Sequence, residues 1–505
     1  MSDQPHGLPD VDDLPEQMRV RREKLDRLRA EGRDPYAFGF PRTATNAELQ
    51  ERFAGLDPDT ATGERAGVVG RVVLNRVSGK IIFATLRDGT GDLQVMATLD
   101  SAGQELLDRW KSDVDLGDNV GVEGAVITSR RGELSVLADT FTITSKSLRP
   151  LPEKHKGLQD PEQRVRQRYV DLIVRPEARD MLRMRSAVVR SIRETLQSNG
   201  FIEVETPILQ VLHGGANARP FVTHINAYDM PLYLRIAPEL YLKRLLVGGA
   251  ERVFEINRNF RNEGADSSHN PEFTMLEMYQ AYGDYDTVRV LTQKIIQNAA
   301  TAVFGAPVAR RVQEDGSVEE FDLSGDWPVK SMFDAVSEAL GERIDLDTPM
   351  AKLRAISQSL GLEEPSEASA GMLIEEIYVE VVESLTTTPV FYQDFPKDNA
   401  PLTRVHRSDP RLTEKWDLVC WAAEQGTGYS ELIDPLDQRE RFYQQSLRAA
   451  GGDEEAMQLD EDFLRALEYG MPPAGGQGMG IDRLLMTLTG LGIRDTILFP
   501  LVKPQ

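Results

Sequence analysis

The stretch VFEINRNFRNEGADSSHNPEFTMLEMYQAY, residues 253 to 282, constrains the fold most, because two period-two runs separated by turn residues are met most simply by an antiparallel hairpin. The first run sets Phe254, Ile256 and Phe260 on one face and Glu255, Asn257, Asn259, Arg261 and Glu263 on the other. Gly264, Asp266, Ser267, Ser268, Asn270 and Pro271 supply a loop, and the second run places Thr274, Leu276 and Met278 opposite Phe273, Met275, Glu277 and Tyr279. One face belongs on a core. The other collects a guanidinium, carboxylates and aromatic rings, with His269 in the loop. A guanidinium fork donates two parallel hydrogen bonds to a carboxylate or phosphate, an aromatic ring stacks on a base, and a carboxylate holds an amine. The set fits a nucleotide together with an amino compound, and it equally fits charges pairing across a solvated hairpin.

Residues 66 to 144 carry five short β-type runs separated by turn residues, with the helix-like SAGQELLDRWKSD after the third. That is the order of an OB-fold barrel, which commonly binds single-stranded nucleic acid; a sugar- or protein-binding barrel has the same pattern. The chain has 58 lysines and arginines against 81 acids, a formal charge of −23, so a polyanion would need a local basic surface. RVRREKLDRLRAEGR, residues 19 to 33, offers seven basic residues against three acids, either as such a surface or as a solvated helix with i,i+4 ion pairs. A helix is expected from about Leu14 to Ala30, after an acidic, proline-containing segment of about 15 residues expected to be disordered.

Cys420 is the single cysteine, which rules out an internal disulfide and thiolate zinc ligation. No apolar run approaches the length of a membrane span and the N-terminus has no apolar signal region, so a cytoplasmic protein without membrane attachment is expected.

Further on, a helix over Glu177 to Ser198 carries the apolar stripe Met181, Met184, Val188, Ile192 and Leu196, followed by a strand FIEVETPIL. Residues 213 to 249 read as a Gly-Gly turn, a strand and a helix beginning near Glu239, and residues 283 to 385 as mostly helical with one polar hairpin. PVFYQDF reads as a strand, and EKWDLVCWAAEQGTGYSELIDP as two strands around a glycine-containing turn, with Tyr429 and Glu431 sharing a face. Asp417 and Glu424 are seven apart, so they converge only if the chain turns near Glu424 to Gly428. GGQGMGIDRLLMTLTG, residues 475 to 490, lacks both P-loop and dinucleotide-fold spacing, leaving a tight strand-to-helix turn as its simplest role.

FRNEG followed by HNPEFTMLEMYQAYGDY resembles motif 2 of the class II aminoacyl-tRNA synthetases, in the form carried by lysyl-tRNA synthetases. The helix and strand over 177 to 209 resemble motif 1 and GGQGMGIDRLLM resembles motif 3, in the family's order, and the resemblance runs from about residue 14 to 500. It implies an α+β architecture: an acidic tail and helical extension (1–60), a five-stranded OB-fold anticodon-binding barrel (61–150), a hinge (151–176), and a class II catalytic domain (177–505) built on an antiparallel sheet flanked by helices, with a mostly helical insertion at about 300–388.

The implied activity is ATP-dependent ligation of L-lysine to tRNA(Lys) through lysyl-adenylate, by a homodimer using Mg²⁺. Carried over residue by residue, Arg261 and Arg483 are catalytic, and ATP contacts come from Arg261, Glu263, His269, Phe273, Glu424 and Arg483. Lysine is expected at Gly215, Glu239, Arg261, Glu277, Tyr279, Thr427 and Glu431, with Thr427 standing where many bacterial relatives have asparagine. Asp417 and Glu424 are the expected Mg²⁺ ligands, and Phe83, Gln94 and Glu133 the expected anticodon contacts. The alternatives are an aspartyl- or asparaginyl-type synthetase, a protein-modifying lysine ligase, whose family lacks the barrel, and a non-catalytic tRNA-binding paralogue.

Overall fold

Strict alternation of buried and half-buried residues along Ile81–Arg87 and Asp92–Thr98 is what strands with one face on a core require. The computed structural model describes residues 14–152, 158–266, 268–313, 315–362 and 368–504, in two compact units, Met1–Leu158 and Gln159–Gln505. The expected acidic tail lies almost entirely outside the described residues, as does Ser267 of the expected hairpin loop.

In the first unit, helices α1 (Glu16–Ala30) and α2 (Asn46–Arg52) precede strands β1 (Ala61–Ser78), β2 (Ile81–Arg87) and β3 (Asp92–Thr98). Helix α3 (Leu99–Asp113) follows, then β4 (Asn119–Thr128) and β5 (Leu134–Ser145). The strands close a barrel in the order β1-β2-β3-β5-β4 around Val68, Ile82, Leu86, Val95, Val122 and Val136. The basic stretch 19 to 33 is largely consumed on this unit rather than displayed. Arg21 donates to the carbonyls of Ser147 and Leu116, Lys24 pairs with Asp115 at 2.7 Å, and Arg27 and Arg33 both pair with Asp113 at 2.7 Å.

In the second unit, α4 (Pro161–Arg166) and α5 (Arg168–Val174) occupy much of the expected hinge, and buried Arg168 donates to the carbonyls of Arg494 and Leu498. Helix α6 (Pro176–Ser198) carries the expected stripe, burying Met181, Val188, Ile192 and Leu196. FIEVETPIL does not make one strand. Only β6 (Ile202–Glu203) joins the main sheet, and β7 (Leu209–Gln210) pairs elsewhere, because Pro207 between them has no N–H to continue a ladder. Residues 213 to 249 hold two strands rather than one, β8 (Phe221–Ile225) and β9 (Met230–Leu234), before α7 (Glu239–Val247).

The expected hairpin forms from β10 (Arg252–Phe260) and β11 (Glu272–Ala281). Its first strand stops at Phe260, so Arg261 and Glu263 stand in the loop. Beyond it come α8 (Tyr285–Phe304), the polar hairpin β12 (Val308–Val312) and β13 (Val318–Asp322), β14 (Val329–Ser331), and α9 (Met332–Leu340), α10 (Met350–Ser359) and α11 (Ala370–Val381). The unit finishes with β15 (Val390–Gln393), β16 (Lys415–Cys420), β17 (Ala423–Ser430), α12 (Pro435–Ala450), α13 (Glu461–Glu468), β18 (Ala474–Gly480) and α14 (Ile481–Thr489).

Eight strands form the main sheet in the order β14-β15-β16-β17-β18-β11-β10-β6, antiparallel except for the pairs at its two edges. One face carries Phe254, Leu276, Met278, Trp416, Leu418 and Met479 onto α6, α8 and α14. At one end of the opposite face, α7, α12 and α13 cover Val253, Tyr279 and Ala281. That face bears the polar residues.

Candidate active site

Register decides which polar side chains meet. Across β10, β11, β18, β17 and β16, Glu255 pairs with Glu277, Glu277 with Gly478, Gly478 with Thr427 and Thr427 with Asp417. The next row on this face runs Val253, Tyr279, Gly476, Tyr429, Lys415. Both rows cross the middle strand at glycine, so a trough runs along β18. At Gly476 a Cβ would overlap Glu431 Oε1 and lie 2.5 Å from the Tyr279 ring, which leaves no room for any other residue. The glycine-rich run therefore serves chiefly as a bare central strand and only secondarily as the entry to α14, a role that depends on neighbours distant in sequence.

At the open end of the trough lies a cavity of about 470 Å³ whose walls include Arg261, Glu263, His269, Phe273, Glu424 and Arg483, bringing together the six expected nucleotide contacts. The Arg261 guanidinium sits 5.2 Å from the Phe273 ring centroid, and its buried Nε has no hydrogen-bond partner. Burial works against the Arg261 charge while Glu263, Glu277 and Glu424 favour it. Arg483 donates to the Glu424 carbonyl at 2.8 Å. His269 is held in its loop by Asp266, 3.0 Å from its Nδ1.

A second cavity of about 170 Å³ shares Ala216, Asn217, Lys415, Glu424 and Thr427 with the first and reaches Gly215, Asp417 and Tyr429. The β16–β17 turn falls at Trp421 and Ala422, both left-handed with φ of 49° and 57°, and not at Glu424 to Gly428 as expected. An extra residue, Gln425, then interrupts the ladder, with Leu418 opposite Gly426 but Val419 opposite Glu424. This bulge rotates Glu424 onto the face of Asp417.

Asp417 Oδ1 is buried without a partner, and Lys415 Nζ lies 3.0 Å from Asp417 Oδ2. Burial and the Asp417 carboxylate push the Glu424 carboxyl upward. Two carboxylates with an unused oxygen suit a hard cation completed by phosphate and water. Among the described residues no group of three or more potential ligands stands ready to cage a metal. Thr427 spends its hydroxyl on the Trp416 carbonyl at 3.2 Å, a bond across the strand pair that the sequence does not announce.

Glu239, Glu277, Tyr279 and Glu431 do not wall either of these two cavities; they form a buried cluster at the covered end of the trough. Glu277 accepts from Tyr279 at 3.2 Å, and burial with the Glu239 charge pushes its carboxyl up to about 8. Glu239, at the start of α7, accepts from Tyr429 at 2.7 Å and pairs with Lys243 at 2.6 Å. Lys243 also pairs with Glu431, whose Oε1 has no hydrogen-bond partner. Gly215, at φ +91°, lies against the same helix start, where a Cβ would come within 2.9 Å of Glu239 Cβ. Glu255 is neutralised separately by Arg235 at 2.6 Å.

A family model for tRNA synthetases class II (D, K and N) matches residues 160–503, and one for the OB-fold nucleic acid binding domain matches residues 67–144. The chain is 58% identical over 498 residues to a lysine–tRNA ligase of Mycolicibacterium gilvum, covering 97% of this chain and 98% of that protein. It is 57% identical to a lysine–tRNA ligase of Kineococcus radiotolerans, covering 98% and 99%. A lysylphosphatidylglycerol biosynthesis bifunctional protein of Mycobacterium marinum is 54% identical over 97% of this chain but only 44% of its own length. The chain belongs to the class II lysine–tRNA ligase family.

The OB-fold barrel has an outer face on β2 and β3. Phe83 and Gln94 stand half-buried there on neighbouring strands, and Gln94 donates to Ser135 Oγ at 2.8 Å. Ser135 Oγ donates in turn to the carbonyl of exposed Glu133 at 3.0 Å, so the three expected anticodon residues share one side of the barrel. Two residues were absent from the expected site of this family member. Lys243 was legible as an i,i+4 partner of Glu239 on a helix. Lys415 was legible as the i,i+2 neighbour of Asp417 on one face of the expected strand.

Proposed function

We propose that the protein activates L-lysine with ATP and ligates it to tRNA(Lys), with Glu239, Glu277 and Glu431 receiving the two ammonium groups of lysine and Arg261 its carboxylate. The carrying observation is the excess of buried carboxylate over buried ammonium, three against Lys243, next to a cavity walled by two arginines. A desolvated acidic recess favours a cationic guest.

A lysine carboxylate oxygen attacks the α-phosphorus of ATP, and the bond to the pyrophosphate oxygen breaks, leaving lysyl-adenylate. Arg261 steadies the carboxylate and α-phosphate as charge builds, while Arg483 faces the departing phosphates and covers the base opposite Phe273. Glu263 and His269 complete the nucleotide contacts. Asp417 and Glu424 would hold Mg²⁺, which when bound neutralises phosphate charge. A terminal ribose hydroxyl of tRNA then attacks the lysyl carbonyl and AMP leaves, with Phe83, Gln94 and Glu133 reading the anticodon.

Exposed Ile202, Leu209, Val211 and Val222 near the motif 1 segment support a homodimer. Cytoplasmic placement is part of the proposal; among the described residues no helix is long and apolar enough to cross a membrane. The test is a screen of amino acids for ATP–pyrophosphate exchange, followed by tRNA charging. Lysine alone should support exchange; stimulation by aspartate, whose carboxylate needs a cation here, by asparagine, whose amide brings no charge to the acidic recess, or by no amino acid, would overturn the proposal.

A further inference from the structure

Lys243 is fully buried, and its Nζ contacts Glu239 Oε1 at 2.6 Å, Glu431 Oε2, and the Leu402 carbonyl at 3.4 Å. The groups facing it are Glu239 on its own helix, Glu431 just beyond β17, and Tyr429 on β17, whose ring centroid is 5.7 Å away. Glu277 and Tyr279 of β11 close the cluster behind them.

Oxygen by oxygen, Lys243 occupies one atom each of Glu239 and Glu431, and Tyr429 takes the second atom of Glu239. Glu431 Oε1 is left buried and unpartnered, on the side where a residue at position 476 would need its Cβ. The charges follow the same pattern. Once a bound ammonium draws Glu277 into its carboxylate form, three carboxylates less one ammonium leave two negative charges, the number that the α- and ε-ammonium groups of a diamino acid neutralise.

We propose that Lys243 is a specificity-determining positioning residue: it fixes the Glu239 carboxylate, aims the free Oε1 of Glu431 at the amino acid and cancels one carboxylate charge, so the recess accepts a dicationic guest and rejects a neutral one. Burial works against the Lys243 ammonium, but the Glu239 and Glu431 carboxylates outweigh it and raise its pKa. Burial raises Glu431 while Lys243 opposes; with the two groups in direct contact, the pair is ionised. Remove the ammonium and three close carboxylates cannot all stay charged. Lysine would then bind only with release of additional protons.

The inference rests on the lysine-pocket assignment above, and the test separates the two. For Lys243→Met, the KM for lysine in ATP–pyrophosphate exchange should rise on the order of a hundredfold, with the KM for ATP unchanged. The pH dependence of kcat/KM for lysine should steepen, and Lys243→Arg should restore the shallower profile. Unchanged lysine KM, or parallel losses for lysine and ATP, overturns the proposal. In the wild-type enzyme, calorimetry in buffers of different ionisation enthalpy should detect release of about one proton, from Glu277, on lysine binding at pH 7. Release near two overturns it even if the methionine variant does not fold. If Glu431→Gln binds lysine normally, the pocket assignment itself fails; if that variant is impaired and Lys243→Met is not, only the role of Lys243 fails.

Discussion

The two ends of the sheet's polar face are built in opposite ways. Beneath α7, α12 and α13 the acidic end is buried and largely self-paired: Glu239, Lys243, Glu431 and Tyr429 hold one another, Glu277 holds Tyr279, and Glu431 Oε1 is left for a guest. At the open end, Arg261 keeps a buried Nε without a partner and Phe273 stands half-buried beside a 470 Å³ cavity. Groups that discriminate a small cation profit from desolvation and rigidity. Groups that meet a large polyanion must stay available until it arrives. The difference assigns selection to the covered end and bond-making to the open end.

The comparison breaks first at Glu431. Glu431→Ala removes the partner of a buried ammonium and should cost about 3 to 5 kcal/mol in lysine binding, a loss of hundreds-fold or more in lysine-dependent exchange; near-normal exchange would remove the acidic end from the site. Arg261→Ala should instead lower kcat by about 10²- to 10³-fold with a smaller change in lysine affinity, measured by single-turnover adenylate formation. If lysine affinity collapses and kcat holds, the division of labour is wrong.

Gly476→Ala sharpens the boundary between the ends. Its methyl would overlap Glu431 Oε1 and crowd Tyr279, an overpacking cost of about 1 to 3 kcal/mol, expressed as weaker lysine binding with normal ATP affinity. Phe83→Ala should weaken tRNA binding by roughly 1 to 3 kcal/mol and leave exchange without tRNA untouched, since it lies in the other unit.

The last effect is titration, which is graded with pH. Burial raises Glu277 to about 8, so the free enzyme carries it protonated at neutral pH, whereas a bound ammonium favours the carboxylate. Lysine kcat/KM should therefore climb by up to about tenfold per pH unit between pH 6 and 8 and then level off. Glu277→Gln should flatten that rise, and a rise that persists would move the titration to another group.

Much of this was visible in the chain before any fold. Alternation alone sorted Phe254, Leu276 and Met278 from Glu277 and Tyr279, and the 3.6-residue stripe of α6 named the side that packs. The order of runs around SAGQELLDRWKSD anticipated the barrel. The resemblance supplied the six residues that now wall the larger cavity. What failed was every inference that joined distant pieces locally: the β16–β17 turn uses two non-glycine left-handed residues, and a proline divides FIEVETPIL between two sheets.

Periodicity, turn chemistry and helix spacing are written between residues a few positions apart, so the sequence by itself determined the elements, their buried faces and the acidic and basic types available for a site. Tertiary structure alone decided which of them meet. The extra residue at Gln425 turns Glu424 toward Asp417, the register of β18 lays glycines across both polar rows, and folding carries Glu431 onto Lys243 from the far side of the domain. The first depends on register within one hairpin and the others on packing between segments far apart in the chain, where a one-residue shift reverses every face and no local pattern records the choice.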